Sequence, residues 1–281
     1  MDTDIILTYC ACDDYLKSLN YQEADNVVMS NAEVLTHVII SAMMFHGNHE
    51  KTRLFLRCYG YVPNILSKSQ LNRRIHQFDD CFWRGLLHFL TIIFQKFEDT
   101  NEYIVDSFPV SVCDTPRIMR CKIYQGKEYH GYSSSKQRYF YGIKVHAITT
   151  KSGFPHEVIF TPGSEHDIRA FIPFEFDIKE GSVIYADRAY NDYKFEDLLR
   201  EHDKIELIPH RKKGAKRPLG GTLRYLQSVI RKKIETAFSQ ITFLFPRAIH
   251  AVTAAGFETK IFSFIIAFAL KMLFKNRPAL T

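Results

Sequence analysis

No stretch of this 281-residue chain is apolar for long enough to cross a bilayer. The most hydrophobic run, IFSFIIAFALKMLF from Ile261 to Phe274, is 14 residues long and contains Lys271, against the ~20 residues a membrane span requires. It predicts a buried helix instead. A secretory n-region is also missing, since Asp2 and Asp4 stand where Lys or Arg would be needed. The six cysteines (Cys10, Cys12, Cys58, Cys81, Cys113 and Cys121) include no CxxC, and their spacing fits neither a zinc site nor a disulfide framework. They are expected as reduced, mostly buried thiols of a cytoplasmic protein with no membrane partner. No internal repeat or low-complexity tract interrupts the chain.

What is present is the composition of a globular protein, 46% hydrophobic, 14% aromatic and 24% charged. The length allows one large domain or two ordinary ones. The net charge of +6 is unevenly spread. Residues 1–100 hold 9 Lys and Arg against 12 Asp and Glu, and residues 101–281 hold 28 against 19. A basic C-terminal half suits a polyanion such as nucleic acid, or is simply a solvated surface.

Residues 1–100 read as helical. Ser30 and Glu33 form a capping-box pattern ahead of VLTHVIISAMMF. HEKTRLFLRCYGY follows, then a helix capped by Ser67 that carries Arg73 and Arg74, then one from Asp79 to about Phe97 with a Trp83, Leu86, Leu87, Leu90 stripe. This order suits a helix-turn-helix-like DNA-binding domain, or an ordinary bundle with solvated arginines. Near Glu102 the apolar period changes from helical to strand-like. Tyr103–Phe108 is an expected strand stopped by Pro109. A basic connection or β-insertion near 112–138, strands over YFYGIKVHAITT and HEVIFTPG, and a short helix from Asp167 to Phe171 come next. Then follow the strand SVIYAD, the helix DYKFEDLLREH, the strand KIELIP, a basic loop near 210–221, and helices over about 223–245 and 257–274. Three meandering strands followed by right-handed crossovers predict an α/β fold with a mixed five-stranded sheet over residues 101–281, an order that resembles the RNase H-like fold.

Three acids stand out. Asp187 lies at the carboxyl end of the SVIYAD strand, where α/β sheets hold ligands. Asp106 interrupts the apolar run YIVDSFPV, and Glu235 lies on the helix YLQSVIRKKIETAFSQI. Each has a plainer reading: Asp106 as a turn starter, Asp187 paired with Arg188, and Glu235 paired with Arg231 one helical turn away. If strands one and four are neighbours, all three converge as catalytic and metal-holding groups. Carboxylate oxygens suit two magnesium ions, with manganese as a substitute. Two such ions, about 3.5–4 Å apart, activate a water or a 3′-hydroxyl in phosphoryl transfer. Lys144 and His146 share a strand face and would reach the scissile DNA strand if that face looks towards Asp106. His166 and Asp167 fall in a loop that would line the site.

Several motifs together resemble the bacterial insertion-sequence transposases of the DDE type, in the branch with a DS-x-P first motif. They are NAEV, KTRLFL and LSKSQLNRRIH in the N-terminal part, and IVDSFPV, YGIKVH, TPGSEHD, ADRAY and RKKIETAFSQI beyond it. The resemblance implies Asp106, Asp187 and Glu235 as the acid triad, with Arg231 as a DNA contact. Asp114 in CDTP is the rival first acid, ranked second because it falls past the strand's end. Some relatives carry Tyr-x2-Arg-x3-Glu-x6-Lys on the last motif, but Ser228 and Thr242 stand at the Tyr and Lys places here. Ala189 stands where many relatives have Gly. The expected function is binding of terminal inverted repeats, followed by metal-dependent cleavage and transfer of DNA strands, by a homo-oligomer on double-stranded element ends and target DNA in the bacterial nucleoid. The alternatives are a catalytically silent repressor and another RNase H-like nuclease. The basic side chains expected against DNA are Arg73, Arg74, Lys144, Arg188, Arg211, Lys212, Lys213 and Arg231.

Overall fold

A computed structural model of the chain describes residues 2–24, 26–133, 137–212 and 214–276. In order, the elements are α1 (Asp2–Ser18), α2 (Asn31–Phe45), α3 (His49–Cys58), α4 (Lys68–Ile75), α5 (Asp80–Gln95), β1 (Glu102–Cys113), β2 (His130–Ser133), β3 (Arg138–Thr150), β4 (Pro155–Pro162), α6 (Asp167–Phe171), β5 (Val183–Ala186), α7 (Tyr193–Leu198), β6 (Glu206–Pro209), α8 (Gly221–Phe243) and α9 (Ala254–Asn276). They form two compact units, Met1–Phe97 with Gln240–Thr281, and Glu98–Ser239.

In the first unit the helices begin where side chains can satisfy the free N–H groups of their opening turns. Ser30 Oγ accepts from Glu33 N at 3.1 Å while Glu33 accepts from Ser30 N at 2.7 Å. Asp79 caps α5 by accepting from Phe82 N at 2.9 Å. Helices α2 and α9 are apolar on all sides and are buried along most of their length, as helices without a polar face must be. They pack on each other, and α5 also packs on α9. The single lysine in the α9 core run stays paired, with Lys271 Nζ donating to Met43 O at 3.1 Å. The last helix therefore groups with the N-terminal helices, whereas a boundary at residue 100 would leave it with the sheet. Helices α3 and α4 are joined by residues 59–67, a longer link than the 3–4-residue turn of a helix-turn-helix.

In the second unit the sheet runs β2-β3-β1-β5-β6, with β4 also on β3. β1 pairs antiparallel with β3, and β3 with β4. β5 pairs parallel with β1 and with β6. This is the mixed α/β sheet that the strand order predicts, with one strand more. The added strand, β2, pairs with the first residues of β3 and comes from the segment read as a connection or β-insertion. Pro109 does not stop β1, which continues to Cys113. The physical reason is that β5 covers β1 only from Glu102 to Val105. Beyond that point β1 is paired on one side, where a missing N–H is tolerated. The ladder slips between Ser111 and Cys113 opposite Gly142. Gly142 has φ +158, and a Cβ there would lie 2.1 Å from Val110 O, so only glycine fits.

One face of the sheet buries Tyr103, Val105, Ile148, Ile184, Ala186 and Leu207 against Phe171, Tyr190 and Leu199. On the other face Phe108 meets Phe238 of α8, with ring centroids 4.6 Å apart. Ile230, Ile234 and Ala237 of α8 are buried as well. Among the described residues, no helix is long and apolar enough to cross a membrane.

Candidate active site

The pairing of β1 with β5 ends at Val105 and Ala186. The next residues on the two strands are Asp106 and Asp187. They therefore stand side by side at the carboxyl edge of the parallel pair. Partners in register point to the same face of a sheet, here the face that carries Phe108 and meets α8. Helix α8 brings Arg231 and Glu235 to that edge, one turn apart.

Arg231 lies at the centre of the group. Its Nη1 is 3.2 Å from Asp187 Oδ1 and its Nη2 3.4 Å from Oδ2, the two-pronged geometry in which arginine holds a carboxylate best. The same Nη2 is 4.0 Å from Asp106 Oδ2 and 3.8 Å from Glu235 Oε1. The side chains are 19% exposed for Asp106, 35% for Asp187, 61% for Glu235 and 27% for Arg231. One guanidinium thus faces three carboxylates. Burial pushes the Asp106 carboxyl up to about 6, and the charges of Asp187 and Asp167 push the same way. A hydrogen bond from Ser107 N and the charge of Arg231 oppose this. Three oxygen-donor acids with one positive neighbour leave an excess of negative charge, the setting that a hard divalent cation relieves. The donor chemistry fits such an ion, but the carboxylates are turned onto Arg231. Among the described residues no three His, Cys, Asp or Glu side chains are gathered closely enough to hold a metal as they stand.

Residues 98–270 match the family model of the transposase DDE domain. The chain belongs to that family. No curated protein and no solved structure matches the chain. Enzymes of DNA transposition make up the family, and they generally use divalent metal ions.

Within this transposase the remaining candidates fall into separate places. Asp106 lies opposite Ala147 in the β1–β3 ladder, and Ser107 lies opposite His146. Lys144 and His146 therefore occupy the face away from Asp106. There Lys144 Nζ reaches Asp167 Oδ1 at 2.9 Å and Glu165 O at 2.7 Å. His146 is buried between Tyr190 Oη at 3.2 Å and Thr161 Oγ1 at 2.9 Å, and burial lowers it to about 4. That corrects the reading in which this face looks towards the scissile strand, because the pleat alternates and the register fixes the side. Asp167 also takes a hydrogen bond from Ser107 Oγ on that same face at 3.4 Å, and its charge still acts on Asp106 from the far side of the sheet. His166 is exposed just before α6, and Asp114 is exposed past the end of β1.

Of the basic residues, Arg188 is exposed, with Nε 3.0 Å from His210 Nδ1, and Lys212 is exposed. Lys213 lies outside the described residues. Arg211 is not at the surface. Its side chain is 5% exposed and its guanidinium is committed to Asn191 and Glu196. Arginine buried in this way fixes the loop after β6 on α7 and is shut off from a phosphate at the surface. In the first unit Arg73 is exposed, while Arg74 bonds Asn31 Oδ1 at 2.7 Å and Glu23 at 3.2 Å.

A residue the sequence reading passed over is Gln227. It is fully buried, and its Nε2 donates to Ala186 O at 3.1 Å and Ile208 O at 2.8 Å. The amide therefore clamps α8 to the ends of β5 and β6. The signal was available in the spacing, because residues 227, 231 and 235 recur every four positions along one helix face.

Proposed function

We propose that this transposase cuts DNA at the ends of its element and joins them to target DNA, using Asp106, Asp187 and Glu235. The observation that carries the reading is the adjacency of Asp106 and Asp187 on neighbouring parallel strands, with α8 bringing a third carboxylate and an arginine to the same edge. The three carboxylates are the residues that would hold magnesium, or manganese in its place. Such ions, when bound, polarise the phosphodiester and activate a water or a 3′-hydroxyl.

The chain's own groups do the rest. The strand ends fix two acids rigidly, because both follow directly on hydrogen-bonded strand residues. Gln227 fixes the approach of α8, and hence of Glu235. Exposed Arg188 and Lys212, with the lysines of α8, give the surface a positive charge that suits a phosphate backbone. Arg73 offers the same chemistry in the first unit. The element ends would be held as terminal inverted repeats. Bringing two ends together suits an oligomer of at least two copies on DNA.

The test is incubation of the purified protein with duplexes carrying the inverted repeats of its element, with and without Mg2+. The wild-type protein is expected to nick or join the ends only with metal, and Asp187→Ala to do neither. Equal activity in the two proteins refutes the assignment. DNA retention with no metal-dependent cleavage in the wild type would instead show a silent DNA-binding protein.

A further inference from the structure

The role of Arg231 goes further than a contact on DNA. Its guanidinium occupies the middle of the acid group, holding Asp187 with two nitrogens and lying 3.8–4.0 Å from Glu235 and Asp106. Magnesium needs oxygen ligands at about 2.0–2.1 Å in near-octahedral array. Carboxylates spread around a guanidinium cannot meet that demand, and no ready cluster exists among the described residues. The acids and the arginine cannot both keep this arrangement and take up an ion.

Arg231 is also poised to leave. Its side chain is 27% exposed. Its Nε is buried with no hydrogen-bond partner among the described residues, so only the outer end of the fork is tied down. A phosphodiester offers the same two-oxygen edge as a carboxylate, and arginine binds both in the same forked geometry. Gln227 holds α8 to the strand ends, so the side chain can turn without moving the helix.

We infer that Arg231 is a placeholder counter-ion that couples DNA binding to metal binding. Without DNA it offsets part of the acids' charge and keeps them from a cation. A DNA phosphate draws it off and frees Asp106, Asp187 and Glu235 together. This inference rests on the triad assignment and assigns Arg231 a positioning role within it. Coupling of this kind is reciprocal and typically amounts to about 5–150-fold in affinity.

The experiment is titration of the full chain with Mn2+, followed by electron paramagnetic resonance of the free ion. It is run with and without a short duplex, and the binding of the duplex alone is subtracted. Wild type, Arg231→Gln, Arg231→Lys and Asp187→Ala are compared, with circular dichroism to establish folding. The wild type is expected to bind Mn2+ weakly without DNA and at least about tenfold more tightly with it. Arg231→Gln is expected to bind tightly in both cases. Arg231→Lys keeps the charge but loses the fork, so it should fall between them without DNA. A simple charge effect predicts instead that Lys behaves as Arg, and that result overturns the inference. So does a DNA-induced gain in Arg231→Gln equal to that of the wild type. If Asp187→Ala binds Mn2+ as the wild type does, with and without DNA, the triad assignment itself fails, and the coupling fails with it.

Discussion

Replacing Gln227 separates the anchoring of α8 from the chemistry of its charged residues. The side chain is fully buried and its Nε2 bridges Ala186 O and Ile208 O, while its Oε1 has no hydrogen-bond partner among the described residues. Gln227→Leu removes two hydrogen bonds worth about 1 kcal/mol each, but also an unpaired buried carbonyl costing about 1–3 kcal/mol. Ala186 O still accepts from His210 N at 2.9 Å. The opposing effects nearly cancel, so the Leu variant is expected to lie within about 1–2 kcal/mol of the wild type in urea unfolding. Gln227→Glu sets a carboxylate against two carbonyl oxygens. An uncompensated buried charge costs about 3–5 kcal/mol, so this variant should be the least stable at neutral pH. Burial raises the folded-state pKa of such a Glu. The stability it contributes is full below its unfolded value of about 4.3 and is lost as pH rises above it. The Glu variant should therefore recover in acid. Activity should separate from stability. Without the directional tether Arg231 and Glu235 lose their setting, and a displacement of ~1 Å can cost about 100-fold in rate. Single-turnover cleavage and urea midpoints measure the two effects. A Leu variant that cleaves at the wild-type rate, or a Glu variant as stable as wild type at pH 7, refutes the clamp.

Three further outcomes are expected. In the first unit the rings of buried His37 and half-buried His49 stack, with Nε2 and Nδ1 3.3 Å apart, and desolvation lowers them to about 3 and about 4. Their unfolded values are near 6.5. The stability they contribute is full above that pH and is lost as pH falls towards 4, so urea midpoints should drop over this range and drop less in His37→Leu. An unchanged pH slope in that variant would rule out this source. Arg211→Ala strands Glu196, which is 2% exposed, and should cost about 3 kcal/mol, the low end for a broken buried pair, because Arg217 remains 3.5 Å away. Lys212→Ala should leave stability unchanged and lower the salt slope of DNA binding by about one. The reverse pattern would return Arg211 to the DNA surface. Cys12 is buried and its thiol is pushed up to about 12, whereas Cys10, Cys58 and Cys81 are exposed. Mass spectrometry after iodoacetamide should find Cys12 unmodified in the folded protein; early modification of Cys12 would show the α1 region opening without global unfolding.

The sequence by itself determined the parts of this protein that depend on local pattern. Alternating residues marked the strands, Ser30 and Glu33 marked a helix start, and the order of strands and helices predicted a mixed sheet with Asp187 at a strand end. Neighbours were another matter. The apolar run of α9 says that it must be buried, but a helix apolar on every side names no partner, and only packing joined it to α2 and α5. Alternation placed Lys144 and His146 on one face together, yet the pairing of Asp106 with Ala147 decided which face. Pro109 ends a strand only where a second strand demands its N–H, and β5 stops short of it. Arg211 looks like its solvated basic neighbours until Glu196 lies beside it. Spacing puts Gln227 on the helix face of Arg231 and Glu235, but its clamping role came into view only where two strand ends brought their carbonyls to it. Spacing along a chain fixes which side chains share a face; which faces meet is settled by long-range contacts.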